Sequence, residues 1–535
     1  MIEYVIALLV IIAYIVVVYV LNKKGILAKH HFTQGMIFLM WRTEGGKKLI
    51  EKLSKFRRFW LVYAAMAKWI CLGVAIFMMS LLIWEATLVS SIPASSAPSP
   101  EMILGIPGLN PIIPIWYGII GLVVAVVFHE IAHGILTRVG KMDVKSLGIV
   151  FLVIPLGAFV EPDEEAINKA DRKRRTSIYA VGPGTNIILA VICAILFSSV
   201  MLSSITPVHE GPVMVTVADN SIASMNSLQF GMQVASINGA TVSDIYSWQN
   251  VTAPNAGSSV SLSYYYKGSL NNISVTSGVE VTSVTKGYPA NNVGIQSGML
   301  IASFNDTPIR NENDFRVALH NTHGGQTVNI TVMKYFADTK LFENVSSINN
   351  ITVLSRADYL RSISQNVPSG FADYGFMGLN VAYEGISVVN IEVLSQRLAS
   401  PYANMQNPGD FITDTLRYIS LPFLGLAPVQ SPVTELFHPG NVVAPFGDDM
   451  FWITANILYW VFWINLMVGM TNVLPAIPLD GGFLFKDGLG AFVNKIRKGA
   501  TEEQKEKYVR AITMGLAFFV LFLIVWQLIG PRLNG

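Results

Sequence analysis

Long apolar runs, separated by polar and basic segments, make up both ends of this chain. Six of them, residues 4–21, 60–83, 116–136, 178–201, 451–473 and 509–529, are long enough to cross a bilayer, because about 20 apolar residues in a helix cover a hydrocarbon core of about 30 Å. Each predicts a transmembrane helix. Residues 147–160 are apolar too, but they are too short to span and are interrupted by Pro155 and Gly157. Ile149, Val150, Val153 and Ile154 favour strand, so this stretch predicts an extended re-entrant or interfacial loop. Between residues 203 and 449 the pattern changes to short apolar alternations set among Ser, Thr and Asn. The expected fold is a polytopic α-helical membrane protein with six transmembrane helices and a re-entrant β-like loop, carrying an α/β insertion on one side.

The insertion repeats itself. Residues 211–238 match 278–305 without a gap at an offset of 67, with Gly211/Gly278, Ala223/Ala290, Gly231/Gly298, Met232/Met299 and Asn238/Asn305 among the identities. A polar segment and then a strand-like alternation, Ser259–Ser263 in one copy and Thr327–Thr331 in the other, follow each, so two tandem β-rich modules are expected. The run Tyr288-Pro-Ala290, then Gly298-Met-Leu-Ile301 and Asn305, resembles PDZ domains of the protease-associated type. That resemblance implies modules that bind an extended peptide or chain end at a sheet edge; the alternative is that they only cover the membrane part as a lid or size filter. The organisation expected is 1–90, two N-terminal helices with a basic loop; 111–202, the first half of a membrane core; 204–276 and 277–335, PDZ-like modules 1 and 2; 336–448, a region whose fold the pattern does not specify; and 449–535, the second half of the core.

Charge adds an orientation. Ten Lys and Arg lie between Lys23 and Arg58, eight between Arg138 and Arg175 and seven between Lys486 and Arg510, whereas residues 91–114 have none. By the positive-inside rule the three basic segments are cytoplasmic, and both termini and residues 203–449 lie outside a cell membrane. The Asn-x-Ser/Thr sequons at Asn250, Asn272, Asn305, Asn329, Asn344 and Asn350 all fall in the insertion, on the side where glycans are added. The first apolar run has neither a basic start nor a small-residue cleavage site and reads as a retained helix. Cys71 and Cys193 each sit in an apolar run and offer no disulfide framework. A net charge of +2 without a basic, aromatic-interleaved tract predicts no nucleic-acid partner.

His129-Glu130-Ile131-Ala132-His133 interrupts the third apolar run. Ionisable groups inside a membrane helix are costly, and mark function by default. Histidines at i and i+4 share a helix face and can bind one metal, leaving Glu130 beside its open coordination position. A third ligand is needed. Asp480 is the candidate, because Pro475, Pro478, Gly481 and Gly482 break the fifth run around it and let backbone turn a carboxylate inward; the alternative is an interfacial turn or cap residue. Orientation brings His129, His133 and Asp480 to compatible depth near the cytoplasmic side. A membrane zinc transporter and a catalytically inactive scaffold are the competing readings of the same residues.

Three further elements, Leu479-Asp480-Gly481, Gly182-Pro183-Gly184-Thr185-Asn186 and Pro155–Val160 followed by Pro162–Glu165, complete a pattern that resembles the site-2 protease family of intramembrane zinc metalloproteases. The resemblance implies one Zn2+ per chain held by His129, His133 and Asp480, Glu130 as general base, and single-span membrane proteins as substrates within the lipid bilayer. It also implies that Asn186 holds substrate or the oxyanion, against simple interhelical hydrogen bonding, and that Asn472 helps to position substrate. The extended loop would offer a strand edge to an unwound substrate segment.

Overall fold

The computed structural model describes residues 2–29, 32–34, 39–43, 45–89, 97, 99–103, 105–152, 154–362, 367, 371, 373–403, 405–440 and 447–533. The chain forms two compact units. One comprises Met1–Phe197, Ile419–Pro428 and Ile453–Gly535, the other Ser198–Tyr418 and Val429–Trp452.

The first unit is helical. Among the described residues five helices are long and apolar enough to cross a membrane, Arg57–Leu88, Ile115–Val139, Arg172–Ser204, Asp448–Asn472 and Glu502–Leu533. The second, third, fourth and sixth expected spans lie within them, and the fifth, 451–473, overruns Asp448–Asn472 by one residue. The first expected span falls within α1 (Ile2–Lys23), whose side chains up to Ile12 lie outside the described residues. We label the remaining helices α2 (Arg57–Leu88), α3 (Ile115–Val139), α4 (Arg172–Ile195), α5 (Asp448–Asn472), α6 (Asp480–Ile496) and α7 (Glu502–Ile529). Their ends follow local chemistry: Asp171 caps α4 by accepting from Arg174 N, and Thr501 with Gln504 forms a capping box on α7. Val62, Trp69, Trp116 and Phe518 stay exposed on the outward faces, as on helices that are apolar all round.

The helix α6 was not expected. The Pro- and Gly-rich stretch after α5 reads as the end of a span, yet residues 473–479 form an irregular turn and a further helix, α6, starts at Asp480. Its first turn lies against that irregular segment: a Cβ on Gly481 would strike the backbone of Val473 and Leu474, and one on Gly482 would meet the Ala476 backbone at 2.6 Å. Glycine at 481 and 482 is therefore a condition of the turn.

The short apolar stretch is extended, as its Val and Ile content implied. It forms a hairpin of β3 (Val144–Leu152) and β4 (Ile154–Pro162), paired Leu147 to Val160 and Ile149 to Ala158; Val153 lies outside the described residues. The basic N-terminal segment supplies β1 (Phe32–Gln34) and β2 (Leu39–Thr43), giving an antiparallel sheet in the order β1-β2-β3-β4. β4 is thus an edge strand, and it packs along α3.

In the second unit both copies of the repeat form antiparallel sheets. β5 (Pro212–Val217), β6 (Gln233–Ile237), β7 (Ser259–Tyr266) and β8 (Ser269–Thr276) form one module. β9 (Val279–Val284), β10 (Leu300–Phe304), β11 (Thr327–Phe336) and β12 (Leu341–Thr352) form the other. Asn238 and Asn305 occupy equivalent left-handed turn positions, φ 48° and 46°, a conformation that Asn tolerates better than most residues. A helix, Ile245–Gln249 or Glu312–His320, lies between the second and third strands of each module. Residues 336–448 contribute β13 (Leu379–Tyr383), which pairs with β9, and β14 (Ile386–Asn390), which pairs with β5. The sheet orders are β8-β7-β6-β5-β14 and β12-β11-β10-β9-β13, so a two-residue turn, Glu384-Gly385, carries the chain from one module to the other.

That turn buries acid. Glu384 is fully buried, and its carboxylate oxygens have no hydrogen-bond partner among the described residues. Glu280 on β9 is also buried and accepts a hydrogen bond from Ile222 N at 3.0 Å. Burial, with Glu280 nearby, pushes the Glu384 carboxyl up to about 8, and burial pushes Glu280 up to about 7. Both values exceed those of unfolded carboxyls, near 4.3. The folded state therefore holds extra protons between about pH 4.5 and 8, and stability falls as pH rises through that window. Glu384→Gln should raise the melting temperature at pH 8 by about 5 °C and change it little at pH 5. Thermal melts of the full chain at the two pH values check this; an unchanged pH dependence would contradict it.

Candidate metal centre

Helix α3 runs through His129, Glu130 and His133, and its 3.6-residue turn brings both imidazoles to one face. Their rings meet edge-on with centroids 4.7 Å apart. His133 donates from Nδ1 to the carbonyl of Ile178 on α4, 2.8 Å away. That bond sets the tautomer and turns the Nε2 lone pair inward, as expected for a metal-ligating histidine. His129 is buried, 7 % exposed, and its Nδ1 has no partner among the described residues.

Asp480 reaches the same point from the start of α6. Its Oδ2 lies 3.1 Å from His129 Nε2 and 3.3 Å from His133 Nε2, and the two Nε2 atoms are 3.1 Å apart. Three atoms with inward lone pairs at such spacing need a cation or shared protons between them. A tetrahedral ion with bonds of 2.0–2.1 Å has ligand–ligand edges of about 3.3–3.4 Å, so two imidazoles and a carboxylate at these separations suit zinc. These three residues are the group of His, Cys, Asp and Glu that could hold a metal among the described residues.

Glu130 points to a different neighbour. Its Oε2 accepts a hydrogen bond of 3.0 Å from the backbone N of Val160, so the carboxylate is held on β4 next to the triangle. Asn186 on α4 is fully buried, and neither its side-chain oxygen nor its nitrogen has a partner among the described residues. Asn472, half-buried, ends α5. Neither asparagine enters the hydrogen bonds of the triangle.

Sequence reasoning missed the part played by Gly182. A Cβ there would meet Nε2 of His133 and, at 2.7 Å, Nε2 of His129. The residue lies inside the Gly-Pro-Gly-Thr-Asn element, but the closeness of α4 to α3 is what assigns it this place.

A sequence profile of peptidase family M50 matches residues 117–521. An uncharacterised protein of Methanocaldococcus jannaschii is 33% identical over 215 residues, which are 40% of this chain and 55% of the relative; the chain thus spans about half of that relative's length. The matched range includes His129, His133 and Asp480, and the chain belongs to peptidase family M50, the site-2 protease family.

Proposed function

We propose that this protein is an intramembrane zinc metalloprotease that hydrolyses peptide bonds in single-span membrane proteins. The observation that carries the reading is the meeting of His129, His133 and Asp480 beside a glutamate that is bonded to an edge strand. Zinc would be held by those three residues and would supply Lewis acidity, polarising the scissile carbonyl and lowering the pKa of water. Glu130 accepts the proton of the attacking water and returns it to the leaving amine. Asn186 holds the substrate backbone or its developing oxyanion, a role that suits an amide fully buried without a partner. Asn472 assists in positioning.

A transmembrane substrate is helical, and its peptide bonds are already hydrogen-bonded, so it must unwind to be cut. β4 can receive the unwound segment by strand addition. In support, β4 ends its sheet among the described residues, and Val160 donates its N–H to Glu130. An apolar cleft of about 810 Å³ between α2, α6 and α7, lined by Cys71, Ile76, Val473, Gly481, Leu484 and Leu516, reaches the residue after Asp480 and suits entry from the bilayer.

The repeated modules act as PDZ-like readers or filters of substrates on the extracytoplasmic side. β13 ends its sheet, and with helix Glu312–His320 it forms a groove of about 330 Å³ lined by Phe315, Leu319, Phe376, Leu379 and Val381. An extended peptide or chain end fits such a groove. The charge pattern supports a multi-pass protein with its metal site toward the cytoplasm. Membership of a peptidase family does not favour the transporter reading.

The test is metal removal and return. Purified protein with a single-span substrate should lose cleavage when a chelator strips its metal, and regain it on addition of one equivalent of Zn2+, with metal content followed by mass spectrometry. Cleavage that persists once metal has fallen to background would overturn the proposal.

A further inference from the structure

Helices α4 and α6 meet through contacts that the proposed chemistry leaves unused. Near the start of α4, Arg175 forms a two-point ion pair with Asp487 of α6, Nε to Oδ2 at 3.0 Å and Nη2 to Oδ1 at 2.7 Å. The pair is largely buried, its side chains 23% and 14% exposed. The remaining Nη1 donates to the carbonyls of Asn168 and Ala170 at 3.3 and 2.9 Å. One turn further along α4, Tyr179 stacks on Phe483, ring centroids 5.1 Å apart and planes within 22°. The next turn brings Gly182 against the two histidine nitrogens that Asp480 also contacts.

The spacing is regular. Steps of four and then three residues up α4, from 175 to 179 to 182, are matched by equal steps down α6, from 487 to 483 to 480. Residues so spaced lie on one helical face, so the metal triangle is the third rung of an antiparallel ladder. Slipping α6 by one residue would rotate its face by about 100°, which breaks the lower two rungs and swings Asp480 away. Asp480 is the first residue of its helix and follows an irregular turn. Close packing of Gly481 and Gly482 against residues 473–476 places that end of the helix, and the contacts two turns away fix the rotation and register of the rest of α6 against α4.

We propose that Arg175–Asp487, seconded by Tyr179–Phe483, is a positioning clamp that sets the register of α6 and thereby holds Asp480 within metal-binding distance of His129 and His133. The proposal rests on the metal-site reading above. A guanidinium suits the task because its planar fork fixes orientation as well as charge, which an ammonium does not.

Co2+ serves as the probe. In the full chain, Asp487→Asn should weaken Co2+ binding about ten- to a hundredfold, the range found for outer-shell partners of metal sites, and shift the visible spectrum away from four-coordination. Arg175→Lys should weaken binding as well, because charge without the fork does not set rotation. Removing one partner leaves a buried charge, so Arg175→Met with Asp487→Leu tests the clamp without that penalty; this pair should fold yet still bind Co2+ more weakly. Wild-type affinity and spectrum in the folded double variant would overturn the proposal. Register can also be read without metal: Tyr179→Cys with Phe483→Cys should form a disulfide, and adding Asp487→Asn should suppress it. If the wild type binds no Co2+ while the disulfide still depends on Asp487, the metal-site reading fails and the register device stands. A disulfide indifferent to Asp487 overturns the clamp.

Discussion

Glu130→Gln is expected to fold, to keep its zinc and to lose cleavage by a factor of about 10²–10⁴, the usual contribution of a positioned proton acceptor. The geometry separates the three outcomes. The metal-binding atoms belong to His129, His133 and Asp480, none of which changes, so metal content should stay at one per chain. The hydrogen bond from Val160 N needs an acceptor, and the amide oxygen of glutamine supplies one, so the join between α3 and β4 survives. What disappears is a basic oxygen able to take a proton and return it. The measurement is cleavage of a single-span substrate under single-turnover conditions, with metal content measured on the same preparation. Cleavage near the wild-type rate would remove Glu130 from the proposed chemistry. Loss of metal would instead assign it a part in holding the site together.

Much of this arrangement was legible in the sequence where a single local signal sufficed. An apolar run of membrane length is rarely anything but a long helix, and five of the six expected spans fall on long apolar helices. The repeat survives in detail, since β5, β6, β9 and β10 begin and end at positions 67 residues apart. His129 and His133 were paired by helical spacing alone. Asp480 was found because Pro and Gly around one acid signal a break in the helix.

Features that depend on distant backbone were hidden. The strands β1 and β2 are only three and five residues long and sit in a segment whose many basic residues dominate its pattern. β13 and β14 lie outside the repeated segments, so the repeat gave no hint that residues 379–390 complete both sheets. α6 was concealed because Pro475, Pro478, Gly481 and Gly482 look the same whether a helix simply ends or a further helix follows it. The ladder from Arg175 to Gly182 was invisible for the same reason, since its partners belong to a helix that had not been recognised.

Gly182→Ala should abolish metal binding while leaving the ligands themselves intact. A Cβ at this position would stand at 2.7 Å from Nε2 of His129 and still closer to Nε2 of His133, and a zinc ion bonds such nitrogens at about 2.0–2.1 Å. Methyl group and ion would therefore contend for one small space bounded by the same two nitrogens. The methyl cannot move without shifting α4, because it is attached directly to the backbone, and forcing an extra carbon into close packing costs about 1–3 kcal/mol. Gly184, two residues on, is the control. A Cβ there would meet Ala67 Cβ of α2 at 2.6 Å, so Gly184→Ala carries a comparable steric load on a different side of α4, away from the histidines. Both variants should melt at lower temperature than the wild type, but only Gly182→Ala should be purified without zinc and fail to take up Co2+. Zinc and Co2+ uptake in Gly182→Ala equal to that of Gly184→Ala would show that the space beside Gly182 is not the space a metal needs, and would overturn this placing of the ion between the two histidine nitrogens and Asp480.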